Sequence, residues 1–166
     1  MDKNYNIRKV AEGDEQILAY IQTESWKAAF QNILEPEELK QCTNLERATA
    51  MYQKLLDAKK GNGYILEVDG KPHCIAWWDA ARDAQMCGYA ELICIHSLPD
   101  KWRKGFGSKM LAQILQDMKK AGYAHTLLWV FDKNERAKKF YEANGFYITD
   151  KAKEIRGVKE VMYEKS

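Results

Sequence analysis

The segment Arg103-Lys104-Gly105-Phe106-Gly107-Ser108 lies between an apolar, strand-like run and a run with helical periodicity. Glycines in such a turn let the backbone approach a ligand closely and present its N–H groups outward. The start of the helix adds unpaired donors and the positive end of a dipole, and Arg103 and Lys104 bring cationic charge to the rim. These are the requirements of a pyrophosphate site. The segment is not a GxxxxGK[ST] phosphate loop, because Ser108-Lys109 stands in the reverse order. Nor is it a dinucleotide fingerprint, because Met110 sits where a third glycine belongs.

A second set of residues follows the next strand-like run, in Asn134-Glu-Arg-Ala137-Lys-Lys-Phe140-Tyr141-Glu-Ala-Asn-Gly145-Phe146. On a helix Asn134 and Tyr141 lie about two turns apart on one face, with Ala137 and Phe140 able to pack beneath. A phenol there also suits a half-buried core tyrosine with a satisfied hydroxyl. Glu91 is a carboxylate on the central strand, and strict alternation puts it on one face with Ile93 and Ile95. His96, alone after an apolar strand, reads as structural, and His73 and His125 read as surface or strand-edge residues.

The elements that must carry these groups follow from periodicity. Tyr5–Val10 reads as a short strand. A helix from about Asp14 carries Ile17, Leu18 and Ile21, with a break before it resumes through Trp26, Ala29 and Phe30. Pro36 opens a further helical turn, and residues 44–59 form a helix with Leu45, Ala48, Met51, Tyr52 and Leu55 as its apolar stripe. Gly63–Val68 and Lys71–Ala80 flank Asp69-Gly70, a strong hairpin signal, and a third strand runs from about Cys87 to His96. The period then switches: Met110, Leu111, Ile114, Leu115 and Met118 line a helix ended by Gly122. Thr126–Phe131 is a strand, Asn134–Ala143 a helix, and strands near Phe146–Thr149 and Val158–Glu164 complete the chain. Hairpins followed by strand–helix–strand–helix–strand predict an α/β (α+β) fold, a mixed sheet with helices on both faces.

At 166 residues, with 46% apolar side chains and three prolines, the chain is read as one domain over 1–166. Twenty-six basic and 24 acidic residues leave a formal charge of +2, which gives no electrostatic ground for a nucleic-acid partner. The four cysteines form no CxxC pair and read as free thiols in a reducing compartment, with no metal site. The first residues lack an apolar signal core and no membrane-length apolar run occurs, so the expectation is a cytoplasmic protein without membrane partners.

Taken together, the glycine turn and the Asn134–Phe146 helix resemble the GNAT superfamily of acetyl-CoA-dependent N-acetyltransferases. That family pairs a Q/R-x-x-G-x-G/A turn with a downstream N-x-x-A-x-x-x-Y-x-x-x-G-F helix. This chain has Trp102-Arg-Lys-Gly105-Phe-Gly107, then Asn134, Ala137, Tyr141 and Gly145-Phe146. Ile7-Arg8-Lys9 is similar to the family's first strand, residues 24–30 to its first helix, and residues 161–164 to its last strand. Trp102 departs from the pattern, standing where Gln or Arg is usual.

The resemblance implies a sheet of about seven strands, splayed between the fourth and fifth, with the pantetheine arm of acetyl-CoA between them. Main-chain groups of Ile95, His96 and Ser97 would pair with that arm, residues 103–108 would hold the pyrophosphate, and Asn134 would bond the arm. Tyr141 would be the general acid and Glu91 the general base, with Trp26, Phe30, Trp77 and Asp79 as acceptor-pocket candidates. The implied activity is acetyl transfer to a primary amine of a small molecule, polyamine or peptide, by direct attack on the thioester, in a monomer or homodimer. The rival is a non-catalytic acyl-CoA-binding or sensing module on the same fold, which could lose the phenol without penalty.

Overall fold

A computed structural model describes residues 4–166; residues 1–3, part of the segment without an apolar signal core, lie outside the described residues. The strands are β1 (Tyr5–Lys9), β2 (Asn62–Val68), β3 (Lys71–Ala80), β4 (Tyr89–Ser97), β5 (His125–Phe131), β6 (Tyr147–Ile155) and β7 (Val158–Lys165). The helices are α1 (Glu15–Ala29), α2 (Pro36–Cys42), α3 (Leu45–Ala58), α4 (Phe106–Lys120) and α5 (Glu135–Ala143), with short 3-10 turns at Ala84–Met86 and Pro99–Lys101. The strands form one sheet in the order β1-β2-β3-β4-β5-β7-β6. Among the described residues only the β4–β5 pair is parallel, because α4 is the crossover between them.

Alternation along β3 divides the core in two. Cys74, Ala76 and Trp78 pack with Met110, Leu111 and Ile114 of α4, whereas Ile75 and Trp77 pack with Leu18 and Ile21 of α1 and Tyr52 of α3. Asp69 and Gly70 take φ of 52° and 79°, the left-handed pair of a tight hairpin turn. The last hairpin is longer than its sequence suggests and turns on Arg156-Gly157, at φ 53° and 77°.

Two local expectations are corrected. α1 does not break: Glu15–Ala29 holds no Gly or Pro, and the Phe30 N–H closes it on the Trp26 carbonyl at 2.9 Å. The α3 stripe is narrower than read. Ala48 and Tyr52 are buried, but Leu45 and Met51 are 49% and 43% exposed. α3 lies as an outer layer over α1, so only a thin band of its surface is covered.

Candidate active site

β4 changes character at Ile93. Below it, Tyr89–Leu92 pair with β3 on one side and with His125–Leu128 of β5 on the other. Above it, Cys94–Ser97 keep their β3 partners but no β5 pairing is formed. Trp78 pairs with Leu92 and Trp77 with Cys94, so Ile93 is an extra residue in the ladder, a β-bulge, and it is 36% exposed. The bulge corrects the expected alternation. Glu91 and Ile95 do not share a face: Leu92 and Ile95 belong to the α4 side, while Glu91, opposite Asp79, lies on the α1 side.

The bulge also sets which main-chain groups point into the opening. The Leu98 N–H donates to the His73 carbonyl at 2.9 Å, and pairing alternates from there. The main chain of His96 therefore faces β3, opposite Ile75, and is not free to pair with an added ligand, contrary to expectation. Ile95 and Ser97 face the opening. The Ser97 carbonyl already accepts from Trp102 Nε1 at 2.9 Å, which leaves the Ser97 N–H and both groups of Ile95.

The glycine turn lies beyond the open end of β4. Arg103 and Gly105 take φ of 65° and 84°, and α4 starts after Gly105 with no side-chain cap. Its first internal bond is from the Lys109 N–H to the Gly105 carbonyl at 3.2 Å, so the N–H groups of Phe106, Gly107 and Ser108 have no partner within the helix. Arg103 and Lys104 are exposed at the rim. A β-carbon on Gly105 would meet nothing within 4 Å, whereas one on Gly107 would stand 3.4 Å from the Phe140 ring. The Phe140 ring of α5 thus packs within contact range of Gly107. The Phe106 side chain is buried against His73, their rings 5.5 Å apart, and contributes only its main chain to the turn.

Trp102 has a definite place. Besides its bond to Ser97, its ring lies beneath the Arg136 guanidinium at 3.4 Å, tying the end of β4 to α5. Burial, and Arg103 nearby, hold the Arg136 pKa below the usual arginine value. His73 is not at the surface, as its sequence context suggests, but 2% exposed, and its Nδ1 has no hydrogen-bond partner among the described residues. The cause is a second bulge: Leu66 pairs with Cys74 but Glu67 with Pro72, so His73 is turned inward toward Phe106.

On α5, Asn134 caps the helix, its Oδ1 accepting from the Ala137 N–H at 3.2 Å. Tyr141 is 8% exposed, its ring packed against Phe140, Phe146 and Tyr163. Burial, with the Cys94 and Cys74 thiols close by, pushes the phenol well above its ordinary pKa, so it stays protonated. No hydrogen bond from its hydroxyl is made among the described residues. Tyr141 belongs to the buried cluster against which Ile95, in the open half of β4, packs. Ser108 accepts from Asn144 Nδ2 at 3.4 Å, linking the start of α4 to the end of α5.

The α1 face carries a different set. Trp26 Nε1 donates to His96 Nε2 at 3.2 Å, and burial pushes the His96 imidazole down to about 4. Trp26 meets Phe30 at 4.9 Å and Phe30 meets Phe131 at 5.0 Å between ring centroids. This row of rings runs from β4 across the opening to β5. Trp77 lies apart from it, 4% exposed and packed on Tyr52 in the core beneath α3. The Asp79 carboxylate accepts from the Ala80 N–H at 2.8 Å. Glu91 is 3% exposed and held by Arg82, whose terminal NH2 reaches Oε2 at 2.6 Å while its main-chain N–H reaches Oε1 at 3.0 Å.

Phe131, Arg82 and Arg136 carry no motif and escape a sequence reading. Only the hairpin spacing of Arg82 and Glu91 offered a signal. Among the described residues no group of three metal-ligating side chains is found, and no helix is long and apolar enough to cross a membrane.

The comparisons with known proteins agree with this architecture. The family model described as "Acetyltransferase (GNAT) family" matches residues 11–146. A PaiA N-acetyltransferase from Thermoplasma acidophilum, solved in complex with coenzyme A, superposes with a TM-score of 0.83 at 20% identity, over 98% of each chain. An acetyltransferase from Thermus thermophilus gives 0.74 at 18% identity, over 98% of this chain and 96% of that one. YncA, a putative acetyltransferase from Salmonella typhimurium solved with acetyl-CoA, gives 0.70 at 16% identity, over 96% and 92%. No curated protein matches in sequence. The bulged and half-unpaired β4, the uncapped glycine turn and the match over most of the chain lead to one assignment: this chain belongs to the GNAT acetyltransferase family.

Proposed function

We propose that the protein is an acetyl-CoA-dependent N-acetyltransferase acting on a primary amine. The observation that carries this reading is the opening itself. β4 loses its β5 partner after Leu92, the uncapped start of α4 follows the end of that strand, and Tyr141, whose hydroxyl makes no hydrogen bond among the described residues, lies in the cluster on which Ile95 packs. Acetyl-CoA would supply an activated acetyl thioester. The N–H groups of residues 106–108, with Arg103, Lys104 and Arg136, would hold its pyrophosphate. The main chain of Ile95 and the Ser97 N–H would take the amide groups of its arm as a neighbouring strand would. With its Oδ1 accepting the cap bond, Asn134 has its Nδ2 free to donate to that arm.

The Ile95 N–H would polarise the thioester carbonyl as charge develops on its oxygen. Tyr141, neutral at all physiological pH, would give its proton to the departing thiolate. Glu91 is bound by Arg82, so we assign it the role of anchoring the paired half of β4 rather than taking the amine's proton. Calorimetry with acetyl-CoA, followed by thiol release across a panel of amines, tests the reading. Tight acetyl-CoA binding with no turnover on any amine would favour a sensing module; absence of binding would overturn both readings.

A further inference from the structure

Besides Glu91 and Asp79, the α1 face holds a third carboxylate that no part of the cofactor chemistry uses. Glu160 stands on β7 opposite Phe131, three residues beyond the last β4–β5 pair, and opposite Lys153 of β6. Its side chain is 15% exposed, and among the described residues its one ion pair is a 3.9 Å contact with the half-exposed Lys153. Lys153 itself lies over the Trp129 ring at 4.2 Å. Of the other cations on this face, Arg82 is committed to Glu91 at 2.6 and 3.2 Å, and Lys151 reaches the Met86 sulfur at 3.0 Å. A carboxylate withdrawn this far from water with so loose a partner gains from the arrival of a cation. Beside it Phe131, Phe30 and Trp26 present the row of rings that crosses the opening.

We propose that Glu160 receives the acceptor's ammonium group and takes its proton, and that the acceptor is a small primary amine with an apolar body and no carboxylate of its own. The inference rests on the acetyltransferase reading. An N–H bond of the ammonium breaks and an O–H bond forms on Glu160, freeing the nitrogen lone pair to attack the acetyl carbonyl carbon. The second N–H proton, shed as the amide forms, returns through water to Tyr141 after that residue has protonated the thiolate. Glu160 gives its own proton to solvent, so each turnover releases one proton. Four influences act on the ionisation of Glu160. Burial raises its pKa most, Glu91 on β4 raises it further, and Lys153 on β6 and Arg82 after β3 lower it, leaving it above the usual glutamate value.

The test uses the full chain and follows thiol release from acetyl-CoA. Its two acceptors are 2-phenylethylamine and phenylalanine, the same amine with a carboxylate added. The expected result is kcat/KM at least tenfold higher for phenylethylamine, with an acidic limb displaced above the ordinary carboxylate range. Glu160→Gln should lower kcat/KM by about 100-fold and abolish that limb while leaving the acetyl-CoA Kd and the circular dichroism unchanged; Glu160→Asp should restore part of the rate. Parental kcat/KM and acidic limb in a folded Glu160→Gln would overturn the proposal. So would a preference for phenylalanine, or a parent that binds acetyl-CoA but acetylates neither amine. Should Glu160→Gln fail to fold, the parent decides through its amine preference and its pH profile, and a missing acidic limb overturns the proposal. A parent that does not bind acetyl-CoA refutes the acetyltransferase reading instead.

Discussion

The two halves of β4 are the same strand under different obligations. In Tyr89–Leu92 both edges are paired, and the one charged side chain, Glu91, is buried and locked to Arg82. In Ile93–Ser97 one edge is unpaired, Ile93 bulges out, and the neighbouring groups are an uncapped helix start and the Tyr141 phenol, which makes no hydrogen bond among the described residues. A fully paired parallel sheet leaves no main-chain donor for a ligand. The fold makes a site by ceasing to pair halfway along a strand, and the lower half supplies the rigidity that keeps the upper half open. Substitutions below Ile93 should therefore damage stability and spare the chemistry, with the reverse above it.

The largest effect is expected below. Arg82→Ala leaves the buried Glu91 carboxylate with only the main-chain N–H of residue 82, and losing charged hydrogen bonds to such a group costs about 2 kcal/mol. Urea denaturation measures it; a loss under 0.5 kcal/mol would mean that the lower half does not depend on this pair. Above the bulge, Tyr141→Phe keeps the ring and removes the proton donor. Turnover should fall at least tenfold, toward the lower end of the roughly 10²–10⁴ range for general acids, with acetyl-CoA affinity and melting temperature unchanged. Parental kcat in a variant that binds normally would remove Tyr141 from the mechanism.

Gly105→Ala should act on binding. Its φ of 84° disfavours any β-carbon, by about 1–2 kcal/mol, and a turn that relaxes away from this angle misaims the N–H groups of residues 106–108. Acetyl-CoA affinity should weaken about tenfold, or 1.4 kcal/mol, by calorimetry. Gly107→Val is a less clean probe, since its side chain would press on Phe140 and shift α5 as well. The smallest effect belongs to Lys104→Ala. An exposed cation contributes up to about 1 kcal/mol, screened by salt, so the affinity loss should be a few-fold at low ionic strength and vanish near 1 M. A loss that ignores salt would mean that Lys104 closes onto the ligand.

Much of this arrangement was legible from spacing. The glycine turn, the Asn134–Phe146 helix and the Asp69-Gly70 hairpin are local patterns, and each lies where its residues suggest. What was hidden depends on register. A bulge at Ile93 adds a residue without altering composition, so strict alternation put Glu91 with Ile95 on the wrong side. The same device turned His73 inward. Pairing of Phe131 with Glu160 joins strands far apart in the chain, and nothing local marks either residue. Trp102 was visible as a departure from the family pattern, but its grip on the Ser97 carbonyl and Arg136 appears only when the turn closes on β4.

The alternating direction of the main chain along upper β4 has a consequence for amide hydrogen exchange. The His96 N–H is tied into β3, whereas those of Ile95 and Ser97 look into the opening. Without ligand, deuterium should enter at residues 95 and 97 far sooner than at 96, a fast–slow–fast signature within three consecutive amides of one strand. Adding acetyl-CoA should erase it by slowing the outer two alone. A strand that exchanges evenly, or one whose pattern ignores the ligand, would mean that the opening is filled from within the protein.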